Sequence, residues 1–314
     1  MRDACYTLDG DPAHPGFVAC FLRISGDECA FIETNTSHSA PILLRALEDH
    51  GLAREDVRYV IVTHAHLDHA GGAGALMKAC PQATLLAHPR AARHLIEPTK
   101  LIASATSVYG ADRFRELYGV IEPIPAERVR VLEDGETVVL GDAALRFLHT
   151  RGHAKHHFVV HDPALSTVFT GDTLGLVYPF LQRNGLFSLV STTPTDFEPD
   201  EARQSLDRIV ALGTDTAHLT HFGVVRDPPA VASQLRGWID RAEGWLDDAV
   251  KSDAPSADIQ AQIRESMRRA IAEQAATSGL PLGGAEWAFL AVDIDLNAQG
   301  IAFAAQRLRN PDAR

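Results

Sequence analysis

Cysteine is scarce and scattered in this 314-residue chain: Cys5, Cys20, Cys29 and Cys80 form no CxxC pair. That usage excludes a disulfide framework and reads as small buried hydrophobes in a reducing compartment. Long apolar runs are missing too. None approaches the roughly 18 residues of a membrane-spanning segment, and the opening Met1-Arg2-Asp3-Ala4-Cys5 has no apolar signal-peptide stretch. The expectation is a cytoplasmic protein without a membrane partner. Cationic tracts are absent as well: the formal net charge is -12, and no Lys/Arg-rich segment is placed to track a phosphate backbone. An acidic surface repels polyanions, so nucleic acid is not an expected partner and a small molecule is. Repeats and low-complexity tracts are also lacking. What is present in quantity is apolar: 46% of residues are hydrophobic, enough for a sizeable core in one main domain with an appendage.

Against that background, Thr63-His64-Ala65-His66-Leu67-Asp68-His69 stands out. It follows the apolar run Tyr59 to Val62, which reads as a buried strand, and Gly71 and Gly72 come directly behind it. Three imidazoles and a carboxylate on the loop at a strand end suit Zn²⁺, Fe or Mn²⁺, which accept neutral nitrogen and hard oxygen ligands alike. The competing reading is a solvated polar loop, which would suit a lone histidine better than this spacing. One loop cannot surround two ions and leave a face open, so further ligands must come from elsewhere. His153 follows Ala144 to Leu148, with Gly152 free to take a backbone conformation that aims the imidazole inward. Asp172 follows Thr167 to Gly171, and His221 ends Ala217 to Thr220 behind a helical stretch, so that each of the three stands at the carboxyl end of a strand.

With these residues in this order, the sequence resembles the metallo-β-lactamase fold superfamily of metal-dependent hydrolases over roughly residues 5 to 225. The resemblance implies that His64, His66 and His153 hold one metal, that Asp68, His69 and His221 hold a second, and that Asp172 bridges both. It implies two divalent ions, zinc first, with iron or manganese as alternatives. Two cations about 3.5 to 4 Å apart lower the pKa of a shared water from 15.7 to about 7 and polarise the oxygen under attack. Asp68 would orient the bridging hydroxide and hand a proton to the leaving group. Where family members often carry Gly-His-Thr-Pro-Gly-His, this chain reads Gly152-His153-Ala154-Lys155-His156-His157. His157 then matches the second family histidine, a support rather than a ligand, and His156 replaces a glycine.

Strand-like runs at Val18 to Ile24, Cys29 to Glu33, Tyr59 to Val62, Thr84 to Ala87, Val129 to Leu132, Thr137 to Leu140, Ala144 to Leu148, Phe158 to His161 and Thr167 to Thr170 alternate with helical patterns. The helical patterns fall at Ala40 to His50, Gly72 to Ala79 and Asp200 to Leu212. Together they predict the α+β class, specifically the family's αββα sandwich, in a domain spanning 1–227. From Pro228 the spacing of Val231, Leu235, Trp238, Ile239, Trp245 and Leu246 predicts a helical C-terminal subdomain, 228–314, suited to capping the site, forming a homodimer or covering a sheet face. Two segments fit neither pattern. Residues 90–120 read as a helical pair inserted like a lid, and residues 173–199 as a long loop carrying Tyr178, Pro179, Phe180, Leu186 and Phe187. Both are expected at the substrate pocket, with Tyr178 a candidate oxyanion donor.

The substrate class follows by difference. The position of Asp172 is Cys in true β-lactamases of this fold, and the Gly-Cys-Gly-Arg segment of glyoxalase II is missing after Gly175. Hydrolysis of an ester, lactone or thioester of a small, mostly apolar substrate is the reading that remains. The alternatives are a mononuclear iron enzyme like the persulfide dioxygenases, a phosphodiesterase or nuclease of the same fold, and a non-catalytic metal-binding module.

Overall fold

The computed structural model describes residues 3–11, 14–192 and 196–310, so 193–195 of the expected pocket loop lie outside the described residues. The chain divides into two compact units. One is drawn from Met1–His149, His156–Gly171 and Leu212–Arg226, the other from Thr150–Lys155, Asp172–Ala211 and Asp227–Arg314.

Two six-stranded sheets make the first unit. One runs in spatial order β1 (Asp3–Asp9), β2 (Ala19–Ser25), β3 (Glu28–Ile32), β4 (Val57–Ile61), β5 (Thr84–Ala87) and β6 (Val129–Val131). The other contains β7 (Thr137–Leu140), β8 (Ala143–His149), β9 (Phe158–Asp162), β10 (Thr167–Phe169), β11 (Thr216–Leu219) and β12 (Gly223–Arg226), also in spatial sequence. Pairing is parallel from β3 to β6 and between β10 and β11, antiparallel elsewhere. Helices α1 (Ala40–Asp49), α2 (Leu67–Ala70), α3 (Ala73–Ala79), α4 (Pro89–Ile96), α5 (Thr99–Tyr109) and α6 (Ala111–Tyr118) complete the unit.

The period of two in a strand, with both faces covered, explains why β2 and β3 are largely apolar. Phe21, Ala30 and Ile32 face Leu145, Phe147, Phe158 and Phe169 of the second sheet, while Leu22, Ile24 and Phe31 face Leu43 and Leu47 of α1 and Leu76 of α3. A sheet covered on both faces needs continuous hydrophobic runs, and each buried Leu, Ile or Phe contributes roughly 1.5–3 kcal/mol. The exception is Arg23, fully buried in β2. Its Nε lies 2.5 Å from Asp162 at the end of β9, and Asp3 pairs with its Nη1 at the same distance. The ion pair with Asp162 joins the two sheets through a contact costly to leave half-made.

His218 in β11 packs against the rings of Phe21 and Phe169, and burial pushes its imidazole down to about 4 from 6.5. The unfolded chain takes up this proton near 6.5 and the folded chain only near 4, so acidification across that window favours unfolding. Urea midpoints measured from pH 7 to pH 4 are expected to fall by the equivalent of about 3 kcal/mol from this group. A His218→Leu variant is expected to flatten that part of the profile; an unchanged slope would remove His218 as its source.

In the second unit, α7 (Pro199–Val210), α8 (Pro228–Lys251), α9 (Ser256–Thr277) and α10 (Gly284–Arg309) are the helices. Leu246, Ile259, Ile263 and Ile301 form a core that also takes in Phe197. Phe197 accounts for a difference from the expected division at 227/228: the helices share their core with the segment following residue 172, so the unit includes 150–155 and 172–211. By length and composition α10 alone among the described helices would cross a membrane, but 56% of its apolar window is buried within the protein.

The fold is the expected α+β arrangement of two sheets with helices and a helical C-terminal region. Residues 90–120 hold three helices, not two, because Gly110 at φ +77 separates α5 from α6. Ala217 to Leu219 lies in β11, so His221 stands past a strand end, behind helix α7, as expected. Strands β1 and β12 are additions to the expected set; β1 has irregular burial and its sequence reads as neither pattern.

Candidate metal centre

Five of the seven expected ligands lie in the first unit. Strand β4 delivers the chain to Thr63, whose amide and hydroxyl both donate to the carboxylate of Glu33, at 3.2 and 2.5 Å. Glu33 directly follows β3 with φ +64 and is fully buried. It also accepts from Nδ1 of His69 at 3.0 Å and from the Thr220 hydroxyl at 3.2 Å. One carboxylate therefore ties together the ends of three segments, 63–69, 33 and 220. Gly72 permits the close approach of the following helix, since a Cβ there would sit 2.5 Å from the carbonyl oxygen of Thr34.

These contacts determine which imidazole nitrogens carry hydrogen. Nδ1 of His221 lies 2.9 Å from the carbonyl of Phe17, which only accepts, and Nδ1 of His69 faces a carboxylate oxygen. Thr63 gives its hydroxyl proton to Glu33, so its oxygen accepts from Nδ1 of His64 at 3.0 Å. In each ring the lone pair is left on Nε2. Those nitrogens turn toward other electron-rich atoms: Nε2 of His221 and of His69 lie 3.4 and 3.7 Å from Oδ2 of Asp68, and Nε2 of His64 lies 2.8 Å from Nδ1 of His66. Asp68, His69 and His221 each place a donor atom within 4.8 Å of the other two. Lone pairs converging in this way repel unless a cation lies among them, and nitrogen with carboxylate oxygen is the set a divalent first-row ion accepts. The residues fit the group.

His153 and Asp172 belong to the second unit. Gly152 has φ +111, and a Cβ on it would fall 2.3 Å from the backbone nitrogen of Ala202, so only glycine delivers His153 here. Nε2 of His153 lies 3.4 Å from Oδ2 of Asp172. Its Nδ1 is 3.3 Å from the carbonyl of Ser191, which again leaves the lone pair on Nε2, facing a carboxylate. The Ser191 hydroxyl completes the group, 3.2 Å from Nδ1 of His153 and donating to Oδ2 of Asp172 at 3.0 Å.

Two residues here escaped the sequence reading. Glu33 carries the same signal that picked out Asp172, an acidic residue closing an apolar run. Ser191 carries none. Among the expected supports, His157 is fully buried with its ring centroid 4.9 Å from that of His64, and His156 is half-buried, 5.6 Å from the His66 ring. Tyr178 requires a correction. It is fully buried, its hydroxyl donates to Asp293 of α10 at 3.2 Å, and its ring packs on Phe180 and Phe289. That proton is committed to the helical core rather than offered as an oxyanion donor. Burial raises the thiols of Cys5 and Cys29 to about 12 and that of Cys80 to about 11, and holds that of Cys20 well above the ordinary thiol range, so none is a thiolate at neutral pH.

Residues 14–221 match the sequence model of the Metallo-beta-lactamase superfamily, well over half of the chain. The chain belongs to that superfamily. An archaeal relative, the metallo-beta-lactamase fold-containing protein ST1585 of Sulfurisphaera tokodaii, is 29% identical over 189 residues, 59% of this chain and 67% of that one. Its solved structure superposes with a TM-score of 0.68 at 21% identity, covering 96% of this chain and 99% of that one, a likeness of fold. A hydroxyacylglutathione hydrolase of Aeromonas salmonicida is 25% identical over 204 residues, 64% of this chain and 60% of that enzyme. An acyl-coenzyme A thioesterase of Bos taurus is 27% identical over 195 residues, 58% of this chain and 62% of that enzyme. This chain thus spans about three fifths of each of these two enzymes. Within the superfamily, the imidazole and carboxylate clusters described above are groups able to hold divalent metal.

Proposed function

We propose that the protein is a binuclear metal-dependent hydrolase of an ester, lactone or thioester, in which His64, His66 and His153 hold one ion, Asp68, His69 and His221 a second, and Asp172 bridges them. The observation that carries this reading is the set of Nε2 lone pairs on His69, His221 and His153, each fixed by an acceptor at Nδ1 and each 3.4–3.7 Å from a carboxylate oxygen of Asp68 or Asp172. Bound there, divalent metal would supply water activation at neutral pH and polarisation of the carbonyl under attack.

The chain's own residues supply the rest. Asp68, its side chain 36% exposed, is open enough to meet solvent or substrate, and as a carboxylate it can accept a proton from the attacking water and return it to the leaving group. The buried Glu33 holds His69 and the loop at Thr63 rigid. The cavity beside His153 and Asp172 has Val190, Phe197, Leu235 and Ile239 on its apolar side, which supports a small, mostly apolar substrate. The names of the hydroxyacylglutathione hydrolase and the acyl-coenzyme A thioesterase support a thioester within that class. Zinc is the proposed metal, and the four free cysteines, three of them fully buried, suit a reducing cytoplasm.

The test is metal content by plasma mass spectrometry on protein purified without added metal, beside turnover of lactone, thioester and phosphodiester substrates. About two zinc or manganese ions per chain with hydrolysis of a lactone or thioester is the expected result. One iron per chain with oxygen uptake and no hydrolysis would overturn it in favour of a dioxygenase. Phosphodiester cleavage alone would move the protein to the nucleases of the fold.

A further inference from the structure

We propose that Ser191 is the positioning residue for His153 and Asp172, and that the C-terminal helices serve the metal centre by holding Ser191 in place. The proposal rests on the assignment of His153 and Asp172 as ligands.

A single hydroxyl does two things here. It donates its proton to Oδ2 of Asp172, which fixes the rotation of that carboxylate. With the proton so committed, the Ser191 oxygen accepts from Nδ1 of His153, as does the Ser191 carbonyl. Nε2 is thereby kept as the basic nitrogen and the ring plane is set. Oriented in this way, the imidazole Nε2 and the carboxylate Oδ2 lie 3.4 Å apart.

Ser191 lies in an irregular segment whose position is imposed from outside. On one side, Gln234 of α8 accepts from the amide and hydroxyl of Ser188 at 2.9 and 3.1 Å and donates to the carbonyl of Leu186 at 2.7 Å. On the other, Asn297 of α10, 1% exposed, accepts from the amide of Thr192 at 2.5 Å and from its hydroxyl at 2.8 Å. The Asn297 side chain is itself fixed, donating to the Asp293 carbonyl at 2.8 Å. Ser191 is thus held between two helices' amide side chains, neither of which reaches His153 or Asp172 directly. A helical appendage that only covered the protein would have no need of a buried asparagine aimed at the residue next to Ser191.

The test titrates metal-free full-length protein with Co²⁺ and follows the visible ligand-field absorption, which reports coordination geometry independently of turnover. Ser191→Ala is expected to weaken one equivalent of cobalt by about 10–100-fold and to alter its spectrum. Ser191→Thr, which keeps the hydroxyl, is expected to restore both. Thr192→Val and Asn297→Ala are expected to shift cobalt affinity in the same direction by a smaller factor. Circular dichroism checks that each variant is folded, and the near-isosteric Thr192→Val carries the test if Asn297→Ala is not. Wild-type affinity and spectrum in Ser191→Ala would overturn the role of Ser191 while leaving the hydrolase reading intact. Altered cobalt binding in Ser191→Ala but wild-type behaviour in folded Thr192→Val and Asn297→Ala would overturn the role of the helices. A wild-type protein that takes up no cobalt would overturn the ligand assignment and this proposal with it.

Discussion

Asparagine in place of Asp68 is expected to lower kcat/KM by about 10²–10⁴-fold and to remove one of the two proposed metal ions. The substitution preserves shape and most packing, so its effect isolates the charge. Two imidazole nitrogens, on His69 and His221, aim lone pairs at Oδ2 of Asp68. With asparagine, one outcome is an amide –NH₂ turned toward those nitrogens, which satisfies them by hydrogen bonding and competes with a cation. The other is an amide oxygen turned inward, a neutral ligand much weaker than a carboxylate for a hard ion. In neither case does the side chain accept a proton from water and return it to a leaving group. Both defects are measurable separately, metal by mass spectrometry and turnover on the substrate that the wild type hydrolyses. Two metals retained with turnover within threefold of wild type would remove Asp68 from both roles.

What the sequence reveals about this centre depends on how local each feature is. His64, His66, Asp68 and His69 are legible because one turn of chain carries them all, directly behind a strand whose apolar run is itself legible. His153 and Asp172 are legible for the same reason, each standing where a strand pattern stops. His221 is legible at the end of Ala217 to Thr220, although β11 is only four residues, Thr-Ala-His-Leu, with a buried histidine inside it. Ser191 illustrates the limit. A serine in an irregular segment looks like any loop serine, and its meaning arises only when Gln234 and Asn297, far along the chain, place it against His153 and Asp172. Tyr178 shows the opposite error. An aromatic hydroxyl near a metal ligand in sequence looks catalytic, but α10 supplies Asp293 as its partner, and that pairing is invisible without the fold.

The domain boundary follows the same logic. The change to a helical pattern at Pro228 is a property of local periodicity and is seen at once. Phe197 joining the helical core is a property of packing, and it draws 172–211 into the same unit as the helices. Cutting the chain at 227 would therefore expose the apolar faces of Phe197 and its neighbours and separate Thr192 from Asn297.

Alanine at Glu33 is expected to be the most damaging single change to stability, about 3–5 kcal/mol, although Glu33 is no ligand in the proposed centre. Its carboxylate receives hydrogen bonds from the Thr63 amide and hydroxyl, from His69 Nδ1 and from the Thr220 hydroxyl, all in a site closed to water. Removing it leaves buried donors without an acceptor, and each carries its own desolvation cost. The effect on metal follows from geometry: His69 loses the partner that holds its ring and keeps Nε2 basic, so affinity is expected to drop by about 10–100-fold. Glu33→Gln separates the two consequences. It fills the same volume and can keep one oxygen where Thr63, His69 and Thr220 donate, but its –NH₂ then meets the Thr63 backbone N–H head on. Urea unfolding of the metal-free protein measures the first effect and cobalt titration the second. If Glu33→Ala costs stability yet binds cobalt like wild type, Glu33 is a structural anchor only. If Glu33→Gln folds nearly as well as wild type and still loses cobalt affinity, the carboxylate acts on the centre through His69, and the strand end at β3 belongs to the site as much as the histidines do.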